Sequence, residues 1–166
     1  MPNRTNLGGV LRTTAGCGNS VTVTPVCDTS AYASGDLIVD TTAITDAVDR
    51  AGGSAILDSI TILDEDAQGV AFTIAMLQAS TSCGTRNSAP NITDANLRSN
   101  IAGLIPVATN DYVTFSGAKL GCVRNIGLNL KAASNTRTLY FAILNGAGTP
   151  TFTASGLKIT FNFRVF

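Results

Sequence analysis

The sequence predicts an all-β protein: an antiparallel two-sheet sandwich, jelly-roll or Greek-key like, with about eight strands and one short helix. Three observations lead there. Apolar and polar residues alternate over short stretches, as half-buried strands require. The loops between them are rich in Gly, Asn, Ser, Thr and Asp, the residues that turns select. Only one stretch carries a helix signature, so no βαβ alternation exists to build a parallel sheet. An immunoglobulin-like topology is the main rival, and the absence of Trp from the chain argues against it.

A chain of 166 residues suffices for one well-cored domain. Residues 1–19 read as an extended arm, because Leu7, Val10 and Leu11 are the main apolar anchors in a stretch dominated by Gly, Thr and Asn. Residues 20–166 form the sandwich domain. Its first strand begins at Ser20, where Val21 and Val23 alternate with Thr22 and Thr24 until Pro25 ends the ladder. A turn over Tyr32–Asp36 leads to a short strand, Leu37-Ile38-Val39.

The clearest hairpin in the pattern follows. Over Ser54–Asp64, Ile56, Ile60 and Ile62 share one face with Asp58 and Asp64, and Leu57 and Leu63 take the other. Val70, Phe72, Ile74 and Met76 alternate through Val70–Gln78, with Glu65–Gly69 as the hairpin loop between the two strands. After a polar loop over Ser80–Asn91, the stretch Thr93–Ile101 predicts the helix. Thr93 is its N-cap, Asp94 faces the positive end of the dipole, and the helix is expected to cover an end or edge of the sandwich.

Four strands are predicted next, over Leu104–Val107, Tyr112–Phe115, Cys122–Leu130 and Thr138–Leu144. In the third, Cys122, Ile126, Leu128 and Leu130 face inward, and Arg124 falls on the same side. The last strand alternates most regularly, with Leu157, Ile159, Phe161, Phe163 and Val165 on one face and Lys158, Thr160, Asn162 and Arg164 on the other.

Composition excludes several functions. The chain has no His, which removes the commonest general base and metal ligand, and no enzyme activity is expected. Asp58, Asp64, Glu65 and Asp66 are the densest carboxylates, but three of them fall at the expected loop, where carboxylates are simply solvated. The Asp64–Asp66 run lacks the spacing of a calcium loop. Cys17, Cys27, Cys83 and Cys122 have no zinc-site spacing. A Cys17–Cys27 bridge would close a short loop, whereas a cytoplasmic origin favours free thiols. No cofactor is expected. Eleven basic residues balance eleven acidic ones without clustering, so nucleic acid is not an expected partner. No apolar run suits a membrane, and the start lacks a signal-peptide core, so synthesis in a cytoplasm is expected. Tyr32, Tyr112 and Tyr140 are the aromatic residues a carbohydrate-binding module would use.

The charged fraction is 13%, about half of the usual 25% or so, and the formal net charge is zero. That combination favours association. The stretch Thr29–Ile38, the stretch Ala51–Asp64 and the ending Leu139–Leu144 with Gly148–Phe152 and a final amphipathic strand resemble a family of small tailed-bacteriophage virion proteins. The resemblance spans residues 29–166 and implies a β-sandwich that decorates or cements the outer surface of a phage head. It also implies the major capsid protein as partner and a homotrimer as the unit. It carries over no catalytic residues. Within that reading the arm and the final strand are the expected contacts, through Leu7, Val10, Leu11, Arg12, Arg164 and Phe166. A tail or fibre component and a carbohydrate-binding receptor module are the alternatives.

Overall fold

The computed structural model describes residues 17–166. Among them ten strands carry the fold: β1 (Cys17–Val23), β2 (Leu37–Ile44), β3 (Ser54–Asp64), β4 (Phe72–Leu77), β5 (Ile101–Val107), β6 (Tyr112–Phe115), β7 (Ala118–Val123), β8 (Leu128–Lys131), β9 (Leu139–Asn145) and β10 (Leu157–Val165). One helix, α1 (Asp94–Asn100), precedes β5.

Every pairing is antiparallel, and the pairs are nested. β1 pairs with β10, β2 with β9, β3 with β8, and β4 with β5, as in one long hairpin whose tip lies between β4 and β5. Wound up, this ribbon closes through β10·β3 and β9·β4. The result is a larger sheet, β1-β10-β3-β7-β6 with β8 beside β3, facing a smaller one, β2-β9-β4-β5. That nested order is a jelly roll, so the predicted two-sheet sandwich is the observed fold.

The core lies between the sheets. Leu57, Ile60, Ile62, Ile159, Phe161 and Phe163 from the larger sheet meet Ile38, Ile74, Met76, Phe141 and Ile143 from the smaller. The Phe141 and Phe161 rings lie 4.9 Å apart at 56°, a tilted pair that adds to the burial of both. The alternation predicted for β10 is observed in full: its five apolar residues are buried and the polar ones are not.

Three local readings are corrected. First, β3 and β4 are not a hairpin, because they belong to opposite sheets. Both edges of β3 are taken, by β10 on one side and by β7 and β8 on the other, and β4 is likewise flanked by β5 and β9. Residues 65–69 therefore form a corner between sheets. There the Asp64 carboxylate, only 1% exposed, accepts hydrogen bonds from the Gly69 and Asp66 amides at 2.6 and 3.1 Å.

Second, the faces of β3 change phase midway. Ser59 opposes Asn162 and Leu57 opposes Phe163, so Asp58 is the extra residue of a β-bulge. Leu57 thereby joins Ile60 and Ile62 inside, while Ile56 and Asp58 leave the core face.

Third, Cys122–Leu130 is two strands. Asn125 (φ 57°) and Gly127 (φ 65°) break the ladder between β7 and β8. Val123 opposes the buried Ile60 and packs on the core, so Cys122 faces outward. Arg124, expected inside, is exposed.

The first strand starts at Cys17, so Cys17, Gly18 and Asn19 belong to the sheet and not to the arm. The Thr93 hydroxyl caps α1 as predicted, accepting from the Asn96 amide at 3.3 Å. The helix buries none of its residues. What covers the smaller sheet is the segment before it: Cys83 and Ile92 pack on Leu37, Ala75, Leu77 and Ala142.

Candidate interaction surface

The two sheets differ in how their outer faces are finished. The smaller sheet is covered by residues 79–92, whereas among the described residues no segment covers the outer face of the larger one. Cross-strand neighbours share a face, so the pairings order its residues into rows. Ser20, Asn162 and Ser59 form one row, in which Asn162 Nδ2 donates to Ser59 Oγ at 3.1 Å. Thr22, Thr160, Thr61 and Cys122 form the next, with the Thr22 and Thr160 hydroxyls 2.8 Å apart. Beyond them run Lys158, Leu63, Leu120 and Val113. The face thus grades from neutral hydroxyls and amides to apolar residues at β6, where Val113 is 60% exposed, Phe115 62% and Leu120 38%. Neutral groups that bond to one another cost less to desolvate than unpaired charges.

Two of the cations on this face are paired with carboxylates, whereas Lys131 on β8, opposite Ser54, is exposed. Lys158 pairs with Glu65, and Arg164 Nη2 pairs with Asp58 at 2.8 Å. Two of the predicted contact residues, Arg164 and Phe166, meet at the end of β10. Phe166 hangs over an open groove of about 260 Å³ lined by Ser54, Ile56, Gln78, Leu130 and Lys131, and its amide donates to the Ser54 carbonyl at 3.2 Å. Cys17 pairs with Val165 at this same end. Leu7, Val10, Leu11 and Arg12 lie outside the described residues.

The residues with chemical potential do not converge. Asp64 holds the corner loop, Glu65 turns to Lys158, and Asp66 Oδ2 accepts from the Thr153 amide at 2.7 Å and hydroxyl at 3.0 Å. Asp58 sits far along β3, on Arg164. Burial pushes the Asp64 carboxyl above its ordinary range, against the hydrogen bonds from Gly69 and Asp66 that lower it. Among the described residues no group of three or more Cys, Asp or Glu is placed to hold a metal ion. Cys27, Cys83 and Cys122 are free thiols. Burial pushes Cys27 up to about 12, which leaves it protonated.

A polar cleft beside β2, lined by Asp40, Thr41, Thr42 and Arg86, is likewise occupied with structure. Asp40 accepts from the Cys83 amide at 2.7 Å and the Ser82 hydroxyl at 2.8 Å. Arg86 donates to the Val26 carbonyl at 2.8 Å, and together these bonds tie the covering segment down.

The three tyrosines share no surface. Tyr32 is fully buried against Phe152, with its hydroxyl accepting from the Asp28 amide at 2.6 Å. Tyr112 packs on Phe72 at the core rim, and Tyr140 lies on the outer side of the smaller sheet. The apolar rim of β6 and β7 was legible only in part. Tyr112–Phe115 reads as a strand, but that β6 ends the sheet is decided by which strand pairs with which. In comparisons with known proteins, no family model matches the chain and no curated protein matches it.

Proposed function

We propose that the protein is a virion structural component, a decoration or cement protein that binds the major capsid protein on the outer surface of a phage head. The observation that carries this reading is the open, neutral outer face of the larger sheet, set against a smaller sheet whose outer face is already covered. Surfaces buried between proteins are depleted of charge at their centres, and here Lys158 and Arg164 are each paired with a carboxylate. The low charge content of the whole chain supports the same reading. The Arg164 and Phe166 end of β10, with residues 1–16 leading into β1 beside it, is the second proposed contact. Each copy contributes little, but binding only the assembled shell stabilises it by mass action over many symmetric copies. The unit implied by the resemblance is a homotrimer.

Image reconstruction of the particle carrying the protein, with copy number measured by quantitative mass spectrometry, tests this. Copies in the hundreds on the head surface are expected, and deletion of residues 1–15 is expected to weaken attachment while the sandwich stays folded. A handful of copies at the tail overturns the reading in favour of a tail or fibre component. Glycan binding that is lost on substituting Tyr112 or Tyr140 would instead make it a receptor module. Tyr32 is unsuited to that role because it is buried.

A further inference from the structure

The two sheets have five edge strands: β1, β6 and β8, which pairs with β3 alone and ends in the charged Lys131, in the larger, and β2 and β5 in the smaller. An unprotected edge invites another strand, so natural sheets block theirs. β5 carries Pro106, which has no amide to donate. On β2, the Leu37 amide and carbonyl are bonded to Ser88 and Asn87, and the ladder to β9 is irregular at two points. β1 is the strand that residues 1–16 lead into, and its exposed residues Gly18, Ser20 and Thr22 are not apolar. Among the described strands, β5 also exposes an apolar side chain, Leu104, but two residues from Pro106, whereas β6 joins two exposed apolar side chains, Val113 and Phe115, to an edge without Pro. From Tyr112 to Ala118 it carries no charge, Pro or bulge to discourage pairing.

We infer that β6 is a self-association edge, pairing antiparallel with β6 of a second copy across a two-fold axis at Thr114. The occupant follows from the strand's own pattern. Val113 and Phe115 lie on one face and Tyr112 and Thr114 on the other. With Thr114 on the axis, Val113 stands opposite Phe115 of the partner subunit, and its own Phe115 opposite Val113 of the partner subunit. Apolar therefore meets apolar on the exposed face, with Leu120 behind it. Sliding the register by two residues sets Asp111 or Gly117 against these apolar residues and loses the match.

A contact of this kind is isologous, so the same residues serve both sides. A chain with zero net charge brings little repulsion to it. The strand is four residues long, and the contact is smaller than the roughly 800 Å² per partner of a standard interface, so exchange between monomer and dimer is expected. The inference does not depend on the capsid reading, and its two-fold dimer is an alternative to the homotrimer that the resemblance implies.

Analytical ultracentrifugation of the full chain over a dilution series tests it. Concentration-dependent dimers are expected, and Phe115→Lys, at an exposed position, should weaken association by about tenfold or more. A Thr114→Cys variant should form a 114–114 link through a short bis-maleimide, identified by peptide mapping, and Phe115→Lys in the same chain should abolish it. A chain that stays monomeric throughout overturns the inference. So does any oligomer, a trimer included, that forms no 114–114 link and ignores Phe115→Lys.

Discussion

Arg164 Nη2 donates to both carboxylate oxygens of Asp58, at 2.8 and 3.0 Å, from the strand beside it. The contact exists because the bulge in β3 turns Asp58 off the core face at the point where β10 presents Arg164 outward. One extra residue therefore converts what would be a buried carboxylate into half of a surface ion pair.

Both partners are about half exposed, so solvent screens the pair and its net worth is small. A double-mutant cycle of Asp58→Ala and Arg164→Ala, read by urea unfolding, should give a coupling of about 0.5–1 kcal/mol that shrinks as salt is added. Coupling indistinguishable from zero at low salt would show that the geometry is not held in solution.

Phe161 is fully buried and lies between Phe141, at 4.9 Å, and Phe163, stacked at 6.2 Å. Phe161→Ala should cost about 3–5 kcal/mol, the lost transfer energy plus a cavity, because strands paired on both sides cannot collapse inward. Chemical denaturation measures this. A cost near 1 kcal/mol would place Phe161 outside the core.

Asp64 supplies a pH signature. Its folded-state pKa is raised by burial, so between the unfolded value and the folded one the native state holds more protons than the unfolded state. Its contribution to stability is greatest below the unfolded value and declines as pH rises through that window. Comparing the wild type with Asp64→Asn across the acid range should reveal this falling component in the wild type alone. A difference curve that rises with pH instead would mean the hydrogen bonds from Gly69 and Asp66 outweigh burial.

Cys27 and Cys83 are buried, and burial raises both thiols, so both should resist alkylation in the native protein. Cys122, half-buried on the outer face, should react first. Peptide mapping after a timed exposure, with and without denaturant, orders the three. Rapid native labelling of Cys27 would contradict its place in the core.

Tyr32→Phe removes the hydroxyl that accepts from the Asp28 amide at 2.6 Å and donates to the Ile38 carbonyl at 3.2 Å. A loss of about 1–3 kcal/mol is expected, since a buried carbonyl and a half-buried amide each lose a partner. Thermal unfolding checks it, and an unchanged midpoint would show that water replaces the hydroxyl.

What the sequence alone determined is what depends on nearby residues. Alternation along Leu157–Val165 settles that strand and its inner face, and Thr93 with Asp94 settles where the helix begins, because side-chain phase and capping act over a few residues. Missing His and scarce charge bound the chemistry by composition alone. Only the tertiary structure decided partners. Glu65–Gly69 has the residues of a hairpin loop, yet it turns a corner between sheets because β3 and β4 each find both neighbours elsewhere in the chain. The bulge at Asp58 depends on register with β10, roughly a hundred residues away in sequence, and it alone moves Leu57 inside and Asp58 to Arg164. The open outer face and the bare β6 edge have the same origin. Which strands end a sheet is a property of the wound ribbon as a whole, since strand pairing joins residues that no local pattern connects.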